Sequence, residues 1–296
     1  MKLLSTICLL ATVSLSLSNP AIAFDLGGLA GDILNKATSS TAPGDDSSGV
    51  SDLSRGLEVL SILTTDVAED EEVAIGREIA GRLLGAAPLV ADAKLQRYVN
   101  RVGKWVALQS ERPGLEWTFG VIDSDSVNAF ASPGGYIFVT RGLYALLNNE
   151  SELAGVLGHE IGHVVRRHHL ELLNQSKLVD TGSKILSDKV RNRTQVVDNL
   201  IGNGAEILAR GLDKDAEYEA DLIGIVLASR AGYEAYGLPV VLQEIGHSSA
   251  ASNEGGLMYK THPLPADRLS RLNEFAPRFP ESGQLASTGL YPLKKR

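Results

Sequence analysis

Cysteine is almost missing from this sequence, in which Cys8 is the single example among 296 residues. One cysteine cannot close a disulfide within the chain, so folding needs no disulfide machinery and risks no mispairing. This suits an exported protein in an oxidising compartment without requiring one. Cys8 also lies inside an apolar run, too early to carry a lipid behind a signal-cleavage site.

Basic charge is in deficit, since 28 Lys and Arg residues face 36 Asp and Glu residues and the formal net charge is −8 at pH 7. No stretch forms a basic stripe, which excludes nucleic acid as a partner. Long apolar runs are also missing. Beyond residue 23, no segment reaches the roughly eighteen residues that a membrane helix needs, so we expect no transmembrane segment after signal removal.

The N-terminal 23 residues have the layout of a cleaved secretory signal. Lys2 precedes an apolar run over Leu3–Leu17, and Ala21–Ala23 provides a small-x-small ending. We expect cleavage after Ala23 and a periplasmic product. The alternative, a retained membrane anchor, is disfavoured because the run is short and interrupted by Ser and Thr.

The rest of the chain divides by composition. Residues 24–56 are rich in Gly, Ser, Thr and Asp and predict a flexible N-terminal linker, although Leu26–Leu34 is compatible with a short docking helix. Residues 57–296 form the predicted main domain. Helical patterns cover Asp66–Leu84 and Asp92–Gln109. Strand patterns follow and predict a small antiparallel sheet; they cover Glu116–Ile122, Asn128–Ala131 and Tyr136–Thr140, with a type II turn at Ser132–Gly135.

The stretch His159-Glu160-Ile161-Gly162-His163 reads H-E-x-x-H within a helical pattern. Positions i and i+4 of a helix project from one face, so both imidazoles can bind one metal ion with Glu160 beside its open position. We place the helix from about Glu150 or Ser151 to Leu173. Its apolar residues lie opposite the histidines and predict a packed face; they are Leu153, Leu157, Ile161, Val164, Val165 and Leu172.

Two further histidines follow on the same predicted helix. The spacing turns His168 toward the packed face and His169 off the ligand face, so neither is expected to bind the metal. Residues 176–211 predict one or two more helices. These either cover the cleft as a lid or pack beside it, and the pattern does not choose.

A catalytic zinc needs a third protein ligand. Glu217 and Asp221 share one stripe of a later helical pattern, with Leu222, Ile223 and Val226 on the other side. Glu217 therefore fits the ligand role, and Asp221 can accept the outer N–H of a ligand histidine. Glu219 lies on the apolar side and is the less favoured ligand.

These motifs resemble the CAAX-prenyl-protease and HtpX-like family of gluzincin zinc metallopeptidases, in its soluble exported bacterial branch. The resemblance rests on three elements: H-E-x-x-H, the downstream Glu217-x-x-x-Asp221, and Asn128-Ala129-Phe130-Ala131-x-Pro133-Gly134-Gly135. It implies His159, His163 and Glu217 as ligands of one Zn2+ per chain and Glu160 as general base. Protein quality control at the cell envelope is implied as well.

The family's Thr-His-Pro-x-x-x-x-Arg segment is matched by Thr261 to Arg268. Within it, His262 precedes a proline and should be held in an extended loop able to reach the cleft. Three roles stay open: His262 stabilises the transition state as a catalytic residue, plugs the open metal position, or lies on the surface. Arg268 is a weaker candidate for oxyanion contact.

We therefore expect an α+β fold, mostly helical and zincin-like, with a small antiparallel sheet beside the active-site helix. The expected activity is zinc-dependent endopeptidase hydrolysis of unfolded or misassembled envelope proteins. Substrate in extended form would bind along Asn128, Ala129, Phe130 and Ala131, unless this stretch is an ordinary hairpin. The alternative is a metal-plugged, chaperone-like binding protein with little proteolysis. A purely structural zinc is disfavoured, and the oligomeric state stays open.

Overall fold

The computed structural model describes residues 67–173, 212–251, 262–278 and 289–294, and for residues 248–251 the backbone alone. The predicted signal peptide over 1–23, the linker over 24–56 and the helical segment over 176–211, for which a lid was one of two possibilities, lie outside the described residues. Within them the chain is mostly helical with one small sheet, which confirms the predicted fold class. None of the described helices combines the length and the apolar character needed to cross a bilayer.

The elements follow one another in a simple order. The helices are α1 (Glu69–Ala86), α2 (Ala93–Ala107), α3 (Arg141–Leu146), α4 (Glu150–Val165), α5 (Lys214–Arg230), α6 (Gly237–Ala251) and α7 (Pro265–Asn273). The strands β1 (Thr118–Ile122), β2 (Ala129–Ser132) and β3 (Tyr136–Thr140) lie between α2 and α3.

Side-chain caps start four of these helices, where the sequence provides a short polar residue. Thr140 caps α3 by accepting the backbone N–H of Leu143, and Asp or Asn caps the other three. Asp92 accepts hydrogen bonds from the first backbone N–H groups of α2, Asn149 does so for α4, and Asp213 for α5. Each cap pairs N–H groups that have no partner within the helix. Helices α4 and α5, which carry the two motif histidines and Glu217, therefore begin at positions that a side-chain hydrogen bond fixes.

The sheet is mixed rather than antiparallel throughout, which corrects one detail of the prediction. Strand order is β1-β3-β2, with β2 antiparallel and β1 parallel to β3. Strand β2 does not pair with β1 but lies two places away from it in the sheet. The tight turn after β2 brings β3 back between the two strands, where it runs parallel to β1. Gly134 in that turn has φ 74° and ψ 11°, as a type II turn requires.

Helix α4 is buried on every side, whereas the sequence pattern predicts one packed face. All of its residues from Glu150 to Val164 are buried, including both motif histidines. Helix α5 covers the histidine face. On α5 the stripe that contains Glu217 is buried. Val226, which the sequence pattern placed on the opposite, packed side, is 45% exposed.

Glycines allow the backbones of α4 and α5 to approach each other closely. A Cβ on Gly224 of α5 would lie 2.6 Å from the backbone nitrogen of His159, and a Cβ on Gly158 would lie 2.7 Å from the carbonyl oxygen of Gly224. Side chains larger than hydrogen do not fit there. The contact therefore brings Glu217 directly opposite the two histidines.

The helix of the metal motif ends earlier than predicted. It stops at Val165 rather than Leu173, and Arg167 has φ 58°, a left-handed conformation, before helical geometry resumes at His168. Left-handed backbone at a residue with a side chain is unfavourable and needs support from its surroundings.

We predict that Gly224→Ala lowers the free energy of unfolding by about 1–3 kcal/mol, because the added methyl group forces α4 and α5 apart. The matched control is Gly81→Ala on α1, where a Cβ meets nothing within 4 Å. That change should be neutral or stabilise by up to about 1 kcal/mol, since alanine favours helix. Chemical denaturation of both variants checks this, and equal stability of Gly224→Ala and wild type contradicts it.

Candidate metal centre

Two imidazoles and a carboxylate converge between α4 and α5. The Nε2 atoms of His159 and His163 are 3.0 Å apart, and each lies 3.6 Å from one oxygen of Glu217. The side chains of His163 and Glu217 are fully buried and that of His159 is 4% exposed. The helical spacing places the two histidines, and the glycine contact places Glu217.

The outer nitrogen of His159 lies against Asp221, one turn beyond Glu217. The distance from Nδ1 to the carboxylate is 2.9 Å. Arg268 of α7 in turn donates from Nε to the same carboxylate at 2.9 Å. Burial favours the neutral acid, but the Arg268 charge and the His159 hydrogen bond outweigh it and hold the pKa of Asp221 below its ordinary value.

Arg268 forms a buried ion pair whose partner, Asp221, the sequence did not predict. Arg268 is 2% exposed and its guanidinium pairs with Asp221. Burial lowers the pKa of Arg268, but the Asp221 charge outweighs this and raises it overall. Because both ends of the pair are buried, the ion pair orients His159 firmly. The available signal was the place of Arg268 at the start of a predicted helix, where an arginine usually serves packing or an ion pair and is a weaker candidate for oxyanion contact.

Glu160 lies beside the ligand group, with 2% of its surface exposed. Burial raises its pKa above the ordinary glutamate value. A raised pKa suits a group that must take up and release a proton near neutral pH. An apolar recess adjoins it, lined by Ala129, Leu143, Val156, Leu238, Val241, Leu242 and Ile245 together with His159, Glu160, His262 and Arg268.

His262 lies inside the ligand group rather than on the surface. Its Nδ1 is 2.9 Å and 2.8 Å from the two oxygens of Glu217, and its side chain is 9% exposed. Burial lowers the pKa of His262, but the Glu217 charge and hydrogen bond outweigh this and raise it overall. The same contact, against the effect of burial, lowers the pKa of Glu217.

The donor set suits zinc. One donor atom from each of His159, His163, Glu217 and His262 lies within 4.8 Å of the other three. Imidazole nitrogen and carboxylate oxygen are ordinary zinc ligands, and the site offers no thiolate. His159, His163 and Glu217 can therefore hold a metal ion, with His262 in place as a fourth donor.

The remaining candidates lie outside that set. Glu219, the less favoured ligand, is 46% exposed and contacts His168 at 3.2 Å. His168 is buried and contacts the outer nitrogen of His163, a neighbour that the predicted continuous helix did not allow. His169 has no place in the ligand group.

The predicted substrate strand is an edge in its pairing but not in its exposure. Strand β2 pairs with β3 on one side alone among the described residues. Ala129 is 5% exposed and Ala131 is 2% exposed. Asn128 precedes the strand, is fully buried, and accepts the N–H of Ala129 on its own side chain. Phe130 is half-buried.

The sequence is similar to a family of peptidases and to several named proteases. The sequence profile of peptidase family M48 matches residues 93–276. A beta-barrel assembly-enhancing protease from Yersinia pestis is 30% identical over 226 residues, 73% of this chain and 46% of that protein. Its Escherichia coli K12 counterpart is 28% identical over 227 residues, 72% of this chain and 46% of that protein.

A more distant similarity reaches eukaryotes. Mitochondrial metalloendopeptidase OMA1 of Schizosaccharomyces pombe is 28% identical over 180 residues, which is 61% of this chain and 52% of that protein. The chain thus spans about half the length of the relatives that it matches.

We predict that Asp221→Asn weakens zinc binding about 10- to 100-fold, because the amide loses the charge that orients His159. The control is Asp267→Asn, which removes an exposed carboxylate that pairs with Lys214. Competition with a chromogenic chelator measures both affinities. An Asp221→Asn protein that binds zinc as tightly as the control contradicts the role of Asp221.

Proposed function

This chain belongs to peptidase family M48, and on that basis we propose that it is an exported zinc endopeptidase acting on unfolded or misassembled envelope proteins. The observation that carries the proposal is the convergence of His159, His163 and Glu217, with the buried Glu160 beside them. This is the donor set and base of a hydrolytic zinc site, and an M48 metallopeptidase needs both.

The residues of the chain perform distinct parts of the reaction. His159, His163 and Glu217 would hold the zinc ion, which would supply Lewis-acid chemistry for a water molecule and a carbonyl oxygen. Glu160 takes the proton of the attacking water on its carboxylate and passes it to the leaving amine. Its raised pKa assists the uptake of the proton, because a carboxylate with a very low pKa holds a proton poorly. Asp221 and Arg268 keep His159 oriented throughout.

Strand β2 orients the substrate in this proposal. In an antiparallel pair, hydrogen-bonding groups alternate between the two sides of a strand. The carbonyl of Asn128 bonds to Thr140 of β3, which turns the groups of Ala129 and Ala131 toward the other side. Because Asn128 already occupies the N–H of Ala129, Ala131 offers both groups for an extended peptide.

The envelope setting rests on two supports. The predicted signal over residues 1–23 directs export to the periplasm. The bacterial relatives are named for a part in beta-barrel assembly, and we extend to this chain only the related idea of clearing misassembled envelope polypeptides. Extended polypeptide is the expected partner, since a main-chain strand contact reads few side chains.

Glu160→Gln should lower the rate of casein cleavage by at least about 100-fold, because the amide cannot take a proton, while zinc content stays at that of wild type. Glu244→Gln, an exposed carboxylate on α6, serves as the matched control and should cleave normally. Metal analysis and a fluorescent casein assay measure the two quantities. Unchanged cleavage by Glu160→Gln contradicts the proposal of a zinc endopeptidase, and so does a purified wild type that contains no zinc.

A second candidate is the metal-plugged binding protein. It is favoured by the contact of His262 with both oxygens of Glu217, which puts a fourth donor where a catalytic site keeps an open position. The burial of Ala129 and Ala131 agrees with such a closed state. In this state the protein holds polypeptide with little hydrolysis, and release of His262 restores the peptidase.

His262→Ala should therefore raise casein cleavage by about tenfold or more, a barrier change of at least about 1.4 kcal/mol. His247→Ala, which removes an exposed histidine on α6, should leave the rate unchanged. The same assay serves both variants. A large loss of activity in His262→Ala instead assigns His262 to the transition state and rejects the plug.

A further inference from the structure

A second histidine stands behind the ligand His163. The Nδ1 atoms of His163 and His168 are 3.0 Å apart, and His168 is 7% exposed. On its other side, Nε2 of His168 is 3.2 Å from a carboxylate oxygen of Glu219. The second oxygen of Glu219 pairs with Nε of Arg166 at 2.9 Å. These groups form one chain from the ligand to the surface.

The positions of the protons in this chain follow from the ligand role of His163. Its Nε2 faces the other donors, so the neutral ring carries its proton on Nδ1. That N–H can donate only if Nδ1 of His168 is unprotonated. His168 therefore carries its proton on Nε2 and donates it to Glu219, which agrees with the observed contact. Every donor in the chain meets an acceptor.

A continuous helix could not make this contact. Residues five apart on an α-helix are rotated by about 140° from each other, so His168 would leave the face of His163. The observed chain departs from the helix at Arg167, where φ is 58°. The break redirects His168 onto the outer nitrogen of His163.

The break is held by a buried carboxylate on α1. Glu72, whose side chain is fully buried, pairs with Nε of Arg167 at 3.1 Å and with both terminal nitrogens of Arg112 at 2.8 Å and 3.0 Å. Arg167 also donates to the carbonyl of Val67 at 3.3 Å, and Arg112 to that of Val164. A backbone conformation that costs about 1–2 kcal/mol is thus fixed by several independent contacts.

We propose that His168 is a positioning residue of the metal centre, orienting His163 through the Nδ1 hydrogen bond and anchored by Glu219. The arrangement parallels that of His159, whose outer nitrogen meets the carboxylate of Asp221 directly. Each of the two histidine ligands then connects to a carboxylate that is paired with an arginine, His159 directly to Asp221 and His163 through His168 to Glu219. Outer partners of this kind fix the ring and increase its basicity toward the metal.

The inference rests on the proposed zinc site but not on proteolysis, so zinc affinity is the measurement. His168→Leu removes the acceptor, and zinc binding should weaken about 10- to 100-fold in competition with a chromogenic chelator. His168→Asn should restore most of that loss, because its Oδ1 can occupy the place of Nδ1 and accept the same N–H.

The matched control is His169→Leu, at the next position. The ring of His169 lies 5.3 Å from that of His163 between centroids but is no partner of its Nδ1. This variant should bind zinc within about twofold of wild type. Thermal unfolding of each metal-free variant should agree within a few degrees, which separates metal binding from general stability. Should His168→Leu fail to fold, Glu219→Leu replaces it, with a weaker loss expected and Glu219→Gln as its rescue.

The outcomes are distinct. A wild type without zinc defeats the proposed function itself. A zinc-binding wild type with His168→Leu equally tight defeats this inference alone. So does an equal loss in His169→Leu or in His168→Asn, since either result assigns the effect to packing. Loss in His168→Leu with recovery in His168→Asn supports it.

Discussion

The close contact between α4 and α5 is the constraint on which the rest of the structure depends. Gly158 and Gly224 let the two backbones approach until a methyl group no longer fits between them. At that separation Glu217 reaches both motif histidines. The same approach buries the histidine face of α4 against α5, so any charge on the shared face must be neutralised by a partner within the protein.

Each motif histidine of the site has a partner, and that partner is held by a further polar group. Asp221 and Arg268 form a buried ion pair behind His159, and the pair lies across α5 and α7. Beyond the C-terminal end of α4, His168 contacts the other histidine ligand, His163, and is itself bound by Glu219. Networks of this kind tolerate few vacancies, because a buried polar group without a partner is costly. The side chains that can hold a metal ion and the packing of the two helices are therefore parts of one arrangement.

Local geometry made part of this site predictable from sequence. The spacing of His159 and His163 places them on one face of any helix, and Glu217 followed from a helical stripe. The left-handed Arg167 was not predictable, since its support comes from Glu72, far away in the chain. The parallel pairing of β1 was also not predicted, because its partner β3 follows only after β2 and the strand patterns do not report which strands pair. Hydrophobic periodicity reports one face at a time, so it also missed burial of α4 on all sides.

The most direct test is anomalous diffraction at the zinc absorption edge from crystals of the purified protein. The account predicts one strong anomalous peak per chain, lying between His159, His163 and Glu217 and within bonding distance of all three. Density for His262 at the same peak would identify the closed state. A structure without a peak at this position, or with zinc bound away from Glu217, contradicts the account.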